Sequence, residues 1–175
     1  SPEAIHKLCA ENGILAIPVP EEYGGVSGSS VAICMATEEI AKACTTSSLI
    51  LGVQSLGAYP ILLAGTEEQK KRLCPPLAQG RVAAYALTEA GSGSDAQAMK
   101  TTAVLSDDGT HYLLTGTKIW ISNAGYAGLF TVFATVAVAT EGVRKTRGTA
   151  LTAAAHAPGH ALWHREATRA STEQR

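Results

Sequence analysis

Near residue 80 the periodicity of this chain changes, and with it the kind of secondary structure the chain can form. Before that point apolar residues recur at helical spacing between helix-starting and helix-ending signals. From Val82 onward they fall in short runs suited to strands. The switch predicts an α+β chain. An N-terminal all-α helical domain is expected over residues 1–80 and a partial antiparallel β domain over 81–135, joined near Gln79-Gly80-Arg81. With 175 residues, 46% of them hydrophobic, there is enough apolar material for a core.

Local signals mark the helices. Ser1 and Pro2 form a helix start, Ile5, Leu8 and Cys9 make an apolar stripe, and Gly13 ends it. Val31, Cys34, Met35, Glu38 and Glu39 begin a second helix with Ser29 or Ser30 at its N-terminus; a solvated face or an ion pair accounts for the two glutamates. Thr66-Glu67-Glu68-Gln69 has the form of a capping box. Pro75-Pro76 is expected to stop that helix, and Ala58-Tyr59-Pro60 to break the apolar run Leu49 to Gly65.

Strands are expected at Val82 to Leu87, Thr101 to Leu105, His111 to Thr115, Ile119 to Ser122 and Leu129 to Thr135. Asp107-Asp108-Gly109 closes a hairpin between the second and third, with Gly109 free to take positive φ. From Val136 to Arg175 alanine, threonine, arginine and histidine dominate and no period persists, so an irregular or disordered tail is predicted. Such a stretch is what a GC-rich gene yields when read out of frame; a divergent tail is the other reading. Leu129 to Thr135 would then be an exposed, aggregation-prone edge strand.

Charge and composition exclude several functions. Fourteen basic and fifteen acidic residues give a net charge of -1, which offers no cationic field for nucleic acid or anionic lipid. The Leu49 to Gly65 run, interrupted by Gln54, Ser55 and Pro60, reads as too short and broken to cross a bilayer, and no secretory leader is visible. Cys9, Cys34, Cys44 and Cys74 lack metal-ligand or C-x-x-C spacing and read as buried free thiols of a reducing, cytoplasmic protein. His156, His160 and His164 are four apart, but Pro158 and Gly159 interrupt the first interval and no metalloprotease glutamate lies in the second. No metal site is assigned to them.

Two segments carry the chemistry. Ala86-Leu87-Thr88-Glu89-Ala90-Gly91-Ser92-Gly93-Ser94-Asp95 ends a strand in a hydroxyl- and glycine-rich loop, where backbone N–H groups can approach a flat polar ligand. Lys118-Ile119-Trp120-Ile121-Ser122-Asn123 sets an indole and a hydroxyl two residues apart, on one face if the segment is a strand, one to stack and one to hydrogen-bond. Together they suit a flavin. At these residues the chain resembles the acyl-CoA dehydrogenase family. Pro20 to Gly25, Glu38 to Ala41, Gly65 to Lys70 and Leu113 to Lys118 extend the resemblance, in the family's order, over about residues 12 to 135. Beyond Thr135 no matching motif is found.

The resemblance implies FAD as cofactor, with the backbone of Tyr85 and Leu87 and the hydroxyl of Thr88 at the pyrimidine edge. It sets Trp120 against the ring system, Ile121 in van der Waals contact and Ser122 at the redox-active nitrogen. Ser94 is the implied substrate contact, near the pantetheine, while Asp95 fixes the loop. Ser122 replaces the threonine common in relatives, and Ala90 the usual proline. A turn hydroxyl remains the alternative for Thr88, and a core position for Trp120.

Glu89 lies in the motif but is not the base, since the family's glutamate base comes from a C-terminal helical bundle with no counterpart in this sequence. No catalytic residue is therefore assigned. The expected identity is a fragment of a flavin-dependent acyl-CoA dehydrogenase, inactive alone. Its parent would act on an acyl-CoA thioester, form a homo-oligomer and pass electrons to an electron-transfer flavoprotein, in the cytoplasm or, in a eukaryote, the mitochondrial matrix. An acyl-CoA oxidase of the same superfamily, or a non-catalytic flavin-binding or inert remnant, are the alternatives.

Overall fold

The computed structural model describes residues 1–108, 111–140 and 143–153, with side chains described as far as residue 136. Four helices come first: α1 (Pro2–Glu11), α2 (Ser30–Ala43), α3 (Thr45–Ala64) and α4 (Glu67–Ala78). Five strands follow: β1 (Ala83–Ala86), β2 (Thr102–Leu105), β3 (Tyr112–Thr115), β4 (Leu129–Thr140) and β5 (Val143–Ala153).

The local start signals act as expected. Ser1 and Ser29 accept the N–H groups of Ala4 and Ala32 at the starts of α1 and α2. At α4, Thr66 Oγ1 accepts the Gln69 N–H at 3.2 Å while Gln69 Oε1 accepts the Thr66 N–H at 2.9 Å, a complete capping box. Glu38 and Glu39 pair with Lys42 on the exposed side of α2.

The prolines do not break helices. Pro60 lies inside the 20-residue α3, and Pro75 and Pro76 lie inside α4. An interior proline costs about 3 kcal/mol. Ala58, Ile61, Leu73, Cys74 and Leu77 are buried around these prolines in one cluster with Ala83 of β1 and Leu129 of β4. At about 1.5–3 kcal/mol for each fully buried large side chain, that packing outweighs the lost hydrogen bonds. Unbroken, α3 is long and apolar enough by length and composition to cross a membrane, against the sequence expectation. Its buried face here packs on α4 and β1.

The helix-to-sheet joint is held by polar atoms. The Gln54 amide donates to the carbonyls of Arg81 at 2.8 Å and Leu77 at 3.4 Å, and its oxygen accepts the Ala83 N–H at 2.9 Å. Thr131 Oγ1, fully buried, donates to the Gly57 carbonyl at 2.9 Å. Gly57 is required there, because a Cβ on it would lie 2.4 Å from the Ala83 Cβ. From α1, buried His6 reaches the Gly80 carbonyl and meets the Tyr126 ring edge-on.

The sheet is mixed, with the order β1-β4-β2-β3 and β5 on β4. β2 and β3 form the expected antiparallel pair; their turn includes Asp107 and Asp108, while Gly109 lies outside the described residues. β1 and β2 both run parallel to β4. Since β5 takes one edge of β4 from Phe130 to Thr140, β1 and β2 share the other, β1 along Leu129–Val132 and β2 at Thr135 and Val136. Residues 87–101 are therefore an excursion that leaves and rejoins a single strand edge.

Two expectations fail at this point. β4 is an interior strand rather than an exposed edge, and pairing continues past Thr135 through β5 to Ala153 instead of dissolving into an irregular tail. Strand order here is decided by non-local partners, which local alternation does not report. The rest of the tail, including His156, His160 and His164, lies outside the described residues. Among the cysteines only Cys9 and Cys74 are buried; Cys34 and Cys44 are exposed, because α2 buries no residue and Cys44 sits at its junction with α3.

Gln54→Ala leaves the Arg81 carbonyl and the Ala83 N–H without their partner in the core, while the Leu77 carbonyl keeps the Gly80 N–H at 3.0 Å. It is expected to lower the unfolding free energy in urea by on the order of 3 kcal/mol; an unchanged unfolding midpoint would contradict this account of the joint.

Candidate functional site

The glycine-rich loop begins where β1 ends. Glu89 and Ser92 exchange backbone hydrogen bonds at 2.9 and 3.1 Å, folding Ala90 and Gly91 into a tight reversal. Buried Ser92 donates its hydroxyl to the Asp95 carbonyl, and the Asp95 carboxylate accepts the Gln97 N–H, opening a one-turn 3₁₀ helix over Ala96–Ala98. Asp95 thus fixes the loop. Ser94 is exposed beside it.

The second segment is not a strand. Residues 116–119 run without sheet pairing, Trp120 takes φ 56°, and a turn follows over 122–126 with Asn123 at φ 68°. The same-face argument for Trp120 and Ser122 therefore lapses. What replaces the sheet is pairing with the first loop: the Ile119 N–H donates to the Thr88 carbonyl at 3.0 Å, and Lys118 Nζ donates to the Leu87 carbonyl at 2.9 Å. Asn123 Nδ2 then donates to the Ala83 carbonyl, returning the chain to β1, and its oxygen accepts the Tyr126 hydroxyl.

The structure therefore brings Leu87 and Thr88 against the segment that holds Trp120, Ile121 and Ser122. The indole is 87% exposed, Ser122 is exposed, and Thr88 and Ile121 are half-buried. A core role for Trp120 is excluded. Tyr85 lies further back on β1, its ring 5.0 Å from that of Phe133. A cavity of about 430 Å³ reaches Ser122 and Asn123 from between α1 and α3, with Ile5, Ile50 and Val53 among its lining; Thr88 and Trp120 lie outside it. Among the described residues no group of three or more His, Cys, Asp or Glu could hold a metal.

Glu89 and Lys118 hold the two loops together, and sequence reasoning assigned neither a role in this. Lys118 Nζ lies 2.7 Å from Glu89 Oε1, with the side chains 11% and 8% exposed. The same carboxylate accepts the N–H groups of Lys100 at 2.6 Å and Thr101 at 3.0 Å, and the Thr101 hydroxyl. Burial alone would raise the carboxyl's pKa; the hydrogen bonds from Lys118, Thr101 and the two N–H groups outweigh it and bring the value from 4.5 to about 2. A signal was available: Glu89 is the sole charged residue between Val82 and Ser94, and Lys118 the sole one between Tyr112 and Tyr126. Opposite charges stranded in two uncharged motifs are candidates to pair.

The family model for the N-terminal domain of acyl-CoA dehydrogenase matches residues 1–81, and that for the middle domain matches residues 84–171, past the point where the motifs give out. The chain belongs to the acyl-CoA dehydrogenase family. A probable acyl-CoA dehydrogenase of Bacillus subtilis (strain 168) is 48% identical over 131 residues, 74% of this chain and 22% of its own length. An acyl-CoA dehydrogenase of Bacillus anthracis solved with FAD superposes with a TM-score of 0.76 at 40% identity, over 87% of this chain and 25% of its own. A chain of the electron-transferring flavoprotein structure from Acidaminococcus fermentans gives a TM-score of 0.76 at 35% identity, over 91% of this chain and 41% of its own. The chain thus spans roughly a fifth to a third of the length of the curated relatives it matches.

Because the folded pKa of Glu89 lies below its unfolded value, its stabilisation is complete above about pH 4.5 and is lost as the pH falls toward about 2. The urea midpoint should exceed that of Glu89→Gln by a margin that is constant from about pH 7 to 5 and shrinks below. A margin independent of pH down to about 2 would contradict the assignment.

Proposed function

We propose that this chain carries the flavin-facing part of an acyl-CoA dehydrogenase, with FAD lying along Leu87–Thr88 and Trp120–Ser122. The observation that carries the reading is the joint between the two loops. It ties the carbonyls of Leu87 and Thr88 to Lys118 and Ile119, and leaves the Thr88 hydroxyl without a hydrogen bond among the described residues. Beside it stands an indole 87% exposed. A large uncovered aromatic face next to uncommitted short donors fits a flat heteroaromatic with one polar edge.

Bound there, the flavin supplies the two-electron acceptor for a hydride leaving the β carbon of an acyl-CoA thioester. Each residue then has a task within reach of its position. Thr88, with the backbone of Tyr85 and Leu87, hydrogen-bonds the pyrimidine edge and stabilises the negative charge that develops there. Trp120 covers the ring face, Ile121 packs against it, and the Ser122 hydroxyl bonds the redox-active nitrogen. Ser94, on the exposed loop, meets the pantetheine of the substrate. The α proton goes to a glutamate that in the family comes from the C-terminal helical bundle, and that role is assigned to no residue described here. Electron-transfer flavoprotein is the proposed acceptor, and a homo-oligomer the proposed state of the parent.

Thr88→Val and Ser122→Ala should each weaken FAD binding by about 0.5–1.5 kcal/mol in a fluorescence-quenching titration, with Asp107→Ala near wild type. Wild-type affinity in both hydroxyl variants would displace the cofactor from this edge. With butyryl- or octanoyl-CoA and an artificial acceptor, the chain alone is expected to show no turnover above FAD in buffer, because proton abstraction needs a positioned base. Turnover above that control would sink the assignment of the base.

A further inference from the structure

The flavin reading assigns nothing to Lys118 and Glu89, yet both lie directly behind the proposed edge. Lys118 Nζ bridges the Leu87 carbonyl at 2.9 Å and Glu89 Oε1 at 2.7 Å, while the next residue, Ile119, donates to the Thr88 carbonyl at 3.0 Å. Three successive residues, 87, 88 and 89, are thereby each held by an acceptor. In a trans peptide the N–H points opposite to the carbonyl of the same plane, and no peptide among the described residues is cis. Fixing the Leu87 oxygen toward Lys118 therefore aims the Thr88 N–H to the opposite side of the backbone. That N–H makes no hydrogen bond among the described residues.

We propose that Lys118, anchored by Glu89, is a positioning residue that aims the Thr88 N–H at the polar edge of the flavin. The proposal rests on the flavin reading above. Neither side chain touches the cofactor; their part is to fix one peptide plane. The design suits a buried cation. Lys118 is 11% exposed and its carboxylate partner is itself locked by the N–H groups of Lys100 and Thr101, so the ammonium has little freedom to swing away from Leu87. A neutral side chain of similar length fills the space but leaves the Leu87–Thr88 plane free to rotate. A charge in that position holds it with a charge-assisted hydrogen bond.

The test uses the whole chain, FAD as probe, and the pair removed together. In Glu89→Gln/Lys118→Met no buried charge is left without its partner, so the fold is expected to survive, with an unchanged far-ultraviolet circular dichroism spectrum. FAD should nevertheless bind at least about tenfold more weakly than to wild type, with the bound flavin's absorption moved toward that of free FAD. Wild-type affinity and spectrum in the folded double variant would overturn the positioning role and leave the flavin reading standing. Failure of the wild-type chain to bind FAD would overturn both. Wild-type protein alone gives an independent reading should the double variant fail to fold: the Thr88 amide, unbonded in the free chain, should slow its hydrogen exchange at least about tenfold when FAD is added. Binding of FAD with no change at that amide would overturn the proposal.

Discussion

A carboxylate that accepts four hydrogen bonds in a nearly water-free position cannot move without its donors, and the donors of Glu89 belong to separate parts of the chain. The Lys100 and Thr101 N–H groups and the Thr101 hydroxyl come from the far end of the glycine-rich excursion, and Lys118 from beyond the β2–β3 hairpin. The excursion leaves β1 and rejoins the same edge of β4 at β2. Glu89 ties its two ends across that gap. Thr101 in turn donates and accepts on both sides of the joint, since its carbonyl takes the N–H and hydroxyl of Thr135 on β4. Gly116 completes the fit, because a Cβ there would lie 2.7 Å from the Thr101 Cα.

Such a buried pair contributes little net stability against an apolar replacement of the same shape, because desolvating two charges offsets most of their attraction. Its value is geometric. Any displacement that lengthens the Lys118 contact leaves a charge stranded in low dielectric, so the two motif loops have one register at which both are satisfied. The positive φ of Trp120 and Asn123 belongs to the same arrangement: the chain turns sharply after Ile119 so that Asn123 can reach the Ala83 carbonyl on β1. The indole is left facing outward as a result.

What was legible in the sequence was local. Ser1, Ser29 and the Thr66-Gln69 box start helices through bonds three residues long, and the β2–β3 hairpin depends on its own turn. The motifs at Leu87–Asp95 and Lys118–Asn123 were also visible, and they led to the family. What was hidden depends on distant partners. Pro60 and Pro75-Pro76 look like breaks until the core that holds α3 and α4 is counted. β4 looks like an edge until β1, β2 and β5 are seen around it. Trp120 looks like part of a strand because Ile119 to Ser122 has strand composition, while the Ile119 N–H just before it in fact answers to the Thr88 carbonyl, some thirty residues away.

The most direct test is a crystal structure of this chain with FAD bound. The account predicts the ring system against the Trp120 indole, with its polar edge within hydrogen-bond reach of the Thr88 N–H and hydroxyl, and the Glu89–Lys118 contact intact behind it. FAD seated elsewhere, as in the cavity of about 530 Å³ beside His6 and Gly80, with Thr88 and Trp120 uncovered, would contradict it.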